Sequence, residues 1–201
     1  MDIKYFLKEY PGLFVITFLE GSIVMAVEII GGNILTAHFG SSIYLWSGIL
    51  GISLAGLAVG YFAGARFSLR PENKKLYALL SGIFFFTATI PFVADLILPL
   101  VLDLDIRAGV TIACLFILMP VMILCGMISP YIIQLVTKIP SEAGKAAGTV
   151  YSVSTAGGII FTFLTGFLLI PVFGLRKSIF LMAGLFLIMA LIYILMNRKK
   201  A

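Results

Sequence analysis

Long apolar runs separated by short polar connections set the pattern of the chain. The first run, residues 12–37, exceeds the ~20 residues that a straight bilayer crossing needs, and it predicts a helix that is tilted or locally broken near Gly31 and Gly32. An uncharged turn at 38–42 leads into a second helix at 43–65, with Tyr44 and Trp46 at its entrance, where amphipathic rings favour the membrane interface. A third begins near Leu76. Pro91, Asp95 and Pro99 interrupt it, so the regular helix is expected over 76–92, with 93–105 lying along the interface. The fourth covers 109–136 and is kinked by Pro120 and Pro130, the fifth covers 146–170 and the sixth 178–196. Ahead of them, Lys4, Lys8, Tyr5, Phe6 and Tyr10 make an interfacial lead-in. The first run is too long for the core of a signal peptide and reads as a span. The expected fold is all-α: a polytopic integral membrane protein whose residues 1–201 form one transmembrane domain, a six-transmembrane-helix bundle.

Composition strengthens that reading. The chain is 61% hydrophobic and 11% charged, with a mean hydropathy of +1.15, far more apolar than a soluble domain. Its 14 Lys and Arg against 9 Asp and Glu do not point to nucleic acid, because the basic residues fall in the breaks between spans. With loops assigned alternately to the two sides, one side holds eleven basic residues and the other three, which places both termini in the cytoplasm and the protein in the cell (inner) membrane. Cys114 and Cys125 lie eleven residues apart in one expected helix, roughly 16 Å at the helical rise, and so cannot form a disulfide.

Six spans divide into three and three, and the long, interrupted helix opens each half, the arrangement of carriers built as a 3+3 inverted repeat. No residue-level repeat accompanies it. Small residues recur every fourth position at Gly56, Gly60 and Gly64. A second series runs through Gly144, Gly148, Ser152 and Ala156, followed by Gly158, Thr162 and Gly166. Lipid supplies no hydrophobic drive between helices, so such stripes serve close backbone packing, either within the chain or across a homodimer.

The unusual chemistry is acidic. Glu20 and Glu28 lie in the first span, about 80° apart around the helix, where an ionised carboxylate costs at least ~2.5 kcal/mol. Each is expected to be protonated, to meet a cationic ligand or proton pathway, or to pair with a basic group of a partner. Tyr131, Gln134, Tyr151, Ser154 and Thr155 supply hydroxyls and an amide that could complete a ligand pocket with them. Asp95 reads as a solvated loop acid and His38 as a turn residue. One histidine without a cysteine cluster makes no metal site, and nothing calls for a cofactor. No nucleotide loop or other soluble catalytic constellation is present, so the chain is not expected to be an enzyme.

From Glu28 onward, GGNILTAHFGSSIYLW and then GISLAGLAVGYFAG resemble the first helix pair of the membrane region attached to spermidine synthase-like proteins, a region related to major facilitator carriers. Ser129, Pro130 and Tyr131, then GKAAGTVYSVSTAGGIIFTFLTGFLLIPVFG at 144–174, resemble its fourth and fifth helices, so the likeness touches roughly two thirds of the chain. It departs where members often place an arginine shortly after the glutamate, here Asn33, and a Pro-Tyr pair before the turn, here Ala37 and His38. Fused members carry a cytoplasmic aminopropyltransferase-like domain after the last helix, whereas this chain stops at Ala201. The resemblance therefore implies a separate cytoplasmic partner of that kind, or one resembling a methyltransferase, and a polyamine as the cation. The rival expectations are a half-size carrier that dimerises to move a small cation, and a ligand-free scaffold.

Overall fold

The computed structural model describes residues 2–69 and 71–198; Arg70, Lys199 and Lys200, counted above among the basic residues, lie outside them. Among the described residues the chain is helical apart from short connections, with no strand. A short α1 (Ile3–Glu9) precedes α2 (Pro11–Phe39), whose first position is a proline that lacks only an N–H the helix would leave unbonded. Gly40, at φ 71, ends it in a conformation that a side chain would strain. The Ser42 hydroxyl then accepts the Leu45 N–H at 3.2 Å and caps α3 (Ile43–Phe67). There follow α4 (Asn73–Val101), α5 (Ile106–Ile117), α6 (Met119–Val136), a 3₁₀ turn at Pro140–Glu142 and α7 (Ala143–Leu164). A π turn at Thr165–Leu169 joins α7 to α8 (Ile170–Arg198), inside which Gly174 leaves helical geometry at φ 76 and ψ 169.

Five helical stretches are long and apolar enough to cross a membrane: α2, α3, α4, α6 and one run of 55 residues, Pro140–Ile194. The helices expected at 146–170 and 178–196 both fall in that last run. The helix expected at 109–136 is divided at Leu118, because Pro120 cannot donate to the preceding turn.

The third helix differs most from its expected bounds. It does not stop near Phe92 but continues to Val101, through both Pro91 and Pro99. Thr87, Ile90, Pro91, Ala94, Leu98 and Val101 are buried at intervals of three and four, so a packed face runs straight past the prolines. Each proline removes one backbone bond, and the burial on either side holds the helix together. Asp95 is correspondingly no loop acid: it stands on α4 and forms an exposed ion pair with Arg176.

The helices pack as three close pairs, α2 with α7, α3 with α6, and α4 with α8. The innermost helix is α2, with 67% of its most apolar eighteen residues buried against 28% for α3 and 33% for α4. Beyond Gly174, α8 runs back along α4. Arg176 meets Asp95, Phe180 meets Phe92 with ring centres 6.2 Å apart, and Tyr193 meets Tyr77 at 5.9 Å and stands against Gly12. At that lower end Lys138 donates to the Tyr5 hydroxyl at 3.0 Å, a bond that raises the lysine's pKa. At the opposite end Arg107 lies 4.9 Å over the Tyr44 ring.

The glycine stripe of α3 is an internal contact. A methyl group added at Gly60 would stand 2.3 Å from the Ile123 carbonyl oxygen, and one at Gly64 would stand 2.7 Å from Met127 Cα. Gly56 is equally tight against Met122. The stripe on α7 divides differently from its sequence spacing. Nothing lies within 4 Å of the methyl position at Gly144, Gly148 or Gly166, and Ser152 is exposed, whereas Gly158 faces Met25 and the Gly21 carbonyl. Small residues sit on two faces of α7, and the inward one is Ser154, Gly157 and Gly158. Gly60→Ala should therefore lower the thermal midpoint of the protein in detergent by an amount corresponding to about 1–3 kcal/mol of overpacking. Gly148→Ala should leave it unchanged or slightly higher. Equal effects of the two substitutions would contradict this division.

Candidate functional site

Three helices enclose a groove. α2 forms its floor with Glu20, Gly21, Val24 and Met25, α3 one wall with Leu57 and Tyr61, and α7 the other with Ser154, Thr155, Gly158, Ile159 and Thr162. The cavity measures about 230 Å³. It exists because α3 packs on α6 and α7 packs on α2 while α3 and α7 do not pack on each other. The Tyr61 and Tyr151 rings meet across the gap edge to face, 6.3 Å between centres. Exposed Ile159 and Thr155 mark the open side, toward the lipid-facing surface.

Glu20 is brought to the groove by backbone contact. A methyl group on Gly21 would stand 1.9 Å from the Ser154 carbonyl oxygen, and one on Gly157 would stand 2.0 Å from that of Phe18. Only paired glycines allow α2 and α7 so close. The approach puts the Ser154 hydroxyl 2.7 Å from Glu20 Oε2, to which it donates, with Ser129 of α6 as a second hydroxyl neighbour. Glu20 is 2% exposed, and no Lys or Arg is among the described residues lining the groove. Its carboxyl group thus has hydroxyl partners, an adjacent cavity and, among the described residues lining the groove, no counter-charge.

The other residues singled out from sequence are placed separately. Tyr151 stands at the rim through its contact with Tyr61. Glu28 lies two turns farther along α2, half-buried and outside the groove lining, with Ser53 of α3 as its polar neighbour. Tyr131 is not a pocket residue: its hydroxyl receives the Glu72 N–H and donates to the Glu72 carbonyl, both at 2.7 Å, tying α6 to the connection before α4. Gln134 is exposed and takes no part in the groove. On α6, Ser129 neighbours Glu20 while Tyr131 and Gln134, two and five residues on, face elsewhere, since depth and facing, not polarity alone, decide what shares a cavity. Sequence reasoning overlooked Tyr61, whose signal was a hydroxyl-bearing ring beside the α3 glycine stripe, at the α2-facing spacing of Leu57.

Comparisons with protein-family models, with characterised proteins and with solved structures find no match for this chain. The geometry of the groove therefore carries the functional reading.

Tyr131→Phe should remove both bonds to Glu72 and leave a backbone N–H and carbonyl without their partner, at a cost of about 1–3 kcal/mol. Limited proteolysis in detergent should then cut the 68–72 connection faster, while ligand binding in the groove stays at the parental level. Unaltered protease resistance would remove the tethering role.

Proposed function

We propose that this protein is an integral membrane protein that binds the ammonium group of a small organic cation in the α2/α3/α7 groove, with Glu20 as the charge partner. The observation that carries the reading is the buried Glu20 carboxyl group at the floor of an open cavity without a Lys or Arg among its described lining residues. A carboxylate in such surroundings is costly to leave unpaired, and a ligand cation offsets that cost. Ser154, Thr155 and Tyr61 add oxygens for N–H donors, and the Tyr61 and Tyr151 rings add cation–π attraction at the rim. At about 230 Å³ the cavity is smaller than the ~300–1,000 Å³ of typical small-molecule sites, which favours a single small amine or one end of a longer one. The resemblance to the membrane region of spermidine synthase-like proteins makes a polyamine the first candidate. It also makes a separate cytoplasmic aminopropyltransferase-like protein the expected companion, at the basic end of the bundle.

A carrier is the second reading, favoured by the pairing of the helices. Counting α5 with α6 as one crossing, and the segment after Gly174 as another, gives six. The close pairs then join first to fifth, second to fourth and third to sixth. Exchanging the halves, first for fourth, second for fifth and third for sixth, leaves that set of pairs unchanged. Such invariance is what a 3+3 inverted repeat requires, and carriers of that design place their site between the halves.

Calorimetric titration of the protein in lipid nanodiscs with putrescine and with methylammonium tests the site. Glu20→Gln should weaken binding by about ten- to hundred-fold, the loss of one charged hydrogen bond, and Ser154→Ala by less. Unchanged affinity in Glu20→Gln would sink the assignment. Affinity purification from native membranes that never recovers a spermidine synthase-like protein would count against the companion.

A further inference from the structure

Helices α2 and α3 run antiparallel, so residues at one level have sequence numbers that add to a constant. Glu20 stands with Tyr61, Val24 with Leu57 in the groove lining, and Glu28 with Ser53, and each pair adds to the same total. The seam is polar, apolar, polar, its two acids about 12 Å apart along the helix axis. At the second polar level the Ser53 hydroxyl is 2% exposed and lies beside the Glu28 carboxyl group without a well-formed hydrogen bond. A buried hydroxyl seldom lacks a firm partner, and one beside a carboxyl group that pairs with no Lys or Arg among the described residues is an incomplete donor set. We propose that Glu28 and Ser53 form a second site, for a small hard monovalent cation (a proton or Na⁺), separated from the Glu20 groove by the apolar pair Val24 and Leu57.

The surroundings support this assignment. Of the titratable groups on the elements packed against α2, Tyr61 and Cys125 belong with Glu20, and Cys114 on α5 is a buried thiol. Lys145 stands near the start of α7, Arg66 in the last turn of α3 and Arg107 in the first turn of α5, beside Tyr44. Arg176 of α8 is taken by Asp95. The carboxyl and hydroxyl oxygens suit a bare hard cation, whereas the roomier Glu20 groove suits an organic ammonium. The Glu28 site stands whether or not an amine binds at Glu20.

Infrared difference spectroscopy of Glu20→Gln in lipid nanodiscs isolates Glu28 from its neighbour. The carboxylic-acid carbonyl band assigned to Glu28 is the one missing from Glu20→Gln/Glu28→Gln. On raising the pH from mildly acid to mildly alkaline that band should disappear reversibly. Its loss at fixed pH on replacing K⁺ by Na⁺ identifies Na⁺ as the occupant, and insensitivity to Na⁺ identifies the proton. Ser53→Ala in the Glu20→Gln background should shift the band and its titration midpoint, and it serves the same purpose should the double variant not fold. A carbonyl band that responds neither to pH nor to Na⁺, or that Ser53→Ala leaves unmoved, overturns the proposal. Amine binding by the parent protein is read separately, so failure of the Glu20 assignment would not be mistaken for failure of this one.

Discussion

Backbone-to-backbone contact between α2 and α7 is the constraint on which the rest of this structure depends. Gly21 lies under the Ser154 carbonyl and Gly157 under that of Phe18, with no room for a single methyl group at either position. In water such a contact would be one of many consequences of burying apolar area. In lipid, side chains gain little by leaving an equally apolar solvent, and close van der Waals packing must hold the helices. The pair also sets chemistry: the approach that accommodates Gly21 delivers the Ser154 hydroxyl to the preceding residue, Glu20. Packing and site are one feature of two adjacent residues.

The α3/α6 pair repeats the device through Gly56, Gly60, Gly64 and Gly126. Two such pairs, each drawn tight within itself, need not close on one another. The groove is what remains between α3 and α7 when each is committed to a different partner. Its walls pack on different partners and meet each other through the Tyr61 and Tyr151 rings.

Much of this was legible in the sequence, and the misses share a cause. Apolar runs announce membrane helices because the bilayer allows few alternatives, and Glu20 stood out because an acid is costly there. The end of α4 was misplaced because Pro91 was weighed as a local breaker, whereas the buried face from Thr87 to Val101 carries the helix through it. Spacing could not divide the second stripe, because Gly148 and Gly158 are equally small and only the position of α2 determines which of them is covered within the chain. Tyr131, three residues from Gln134, points to the loop at Glu72 while Gln134 faces out. Polarity is written in the sequence, but depth and facing are properties of the assembled bundle.

The separation of Glu20 from Glu28 changes what the pair of acids means. Had both lined one cavity, their mutual repulsion would have forced a shared proton or a doubly charged ligand. Placed about 12 Å apart with Val24 and Leu57 between, they are electrostatically softer neighbours, and the charge on one constrains the other less. An apolar pair also separates the two polar levels of the seam. Any coupling between the two levels would run through the helices themselves, and α2, which carries both acids and the Gly21 contact, is the element they share.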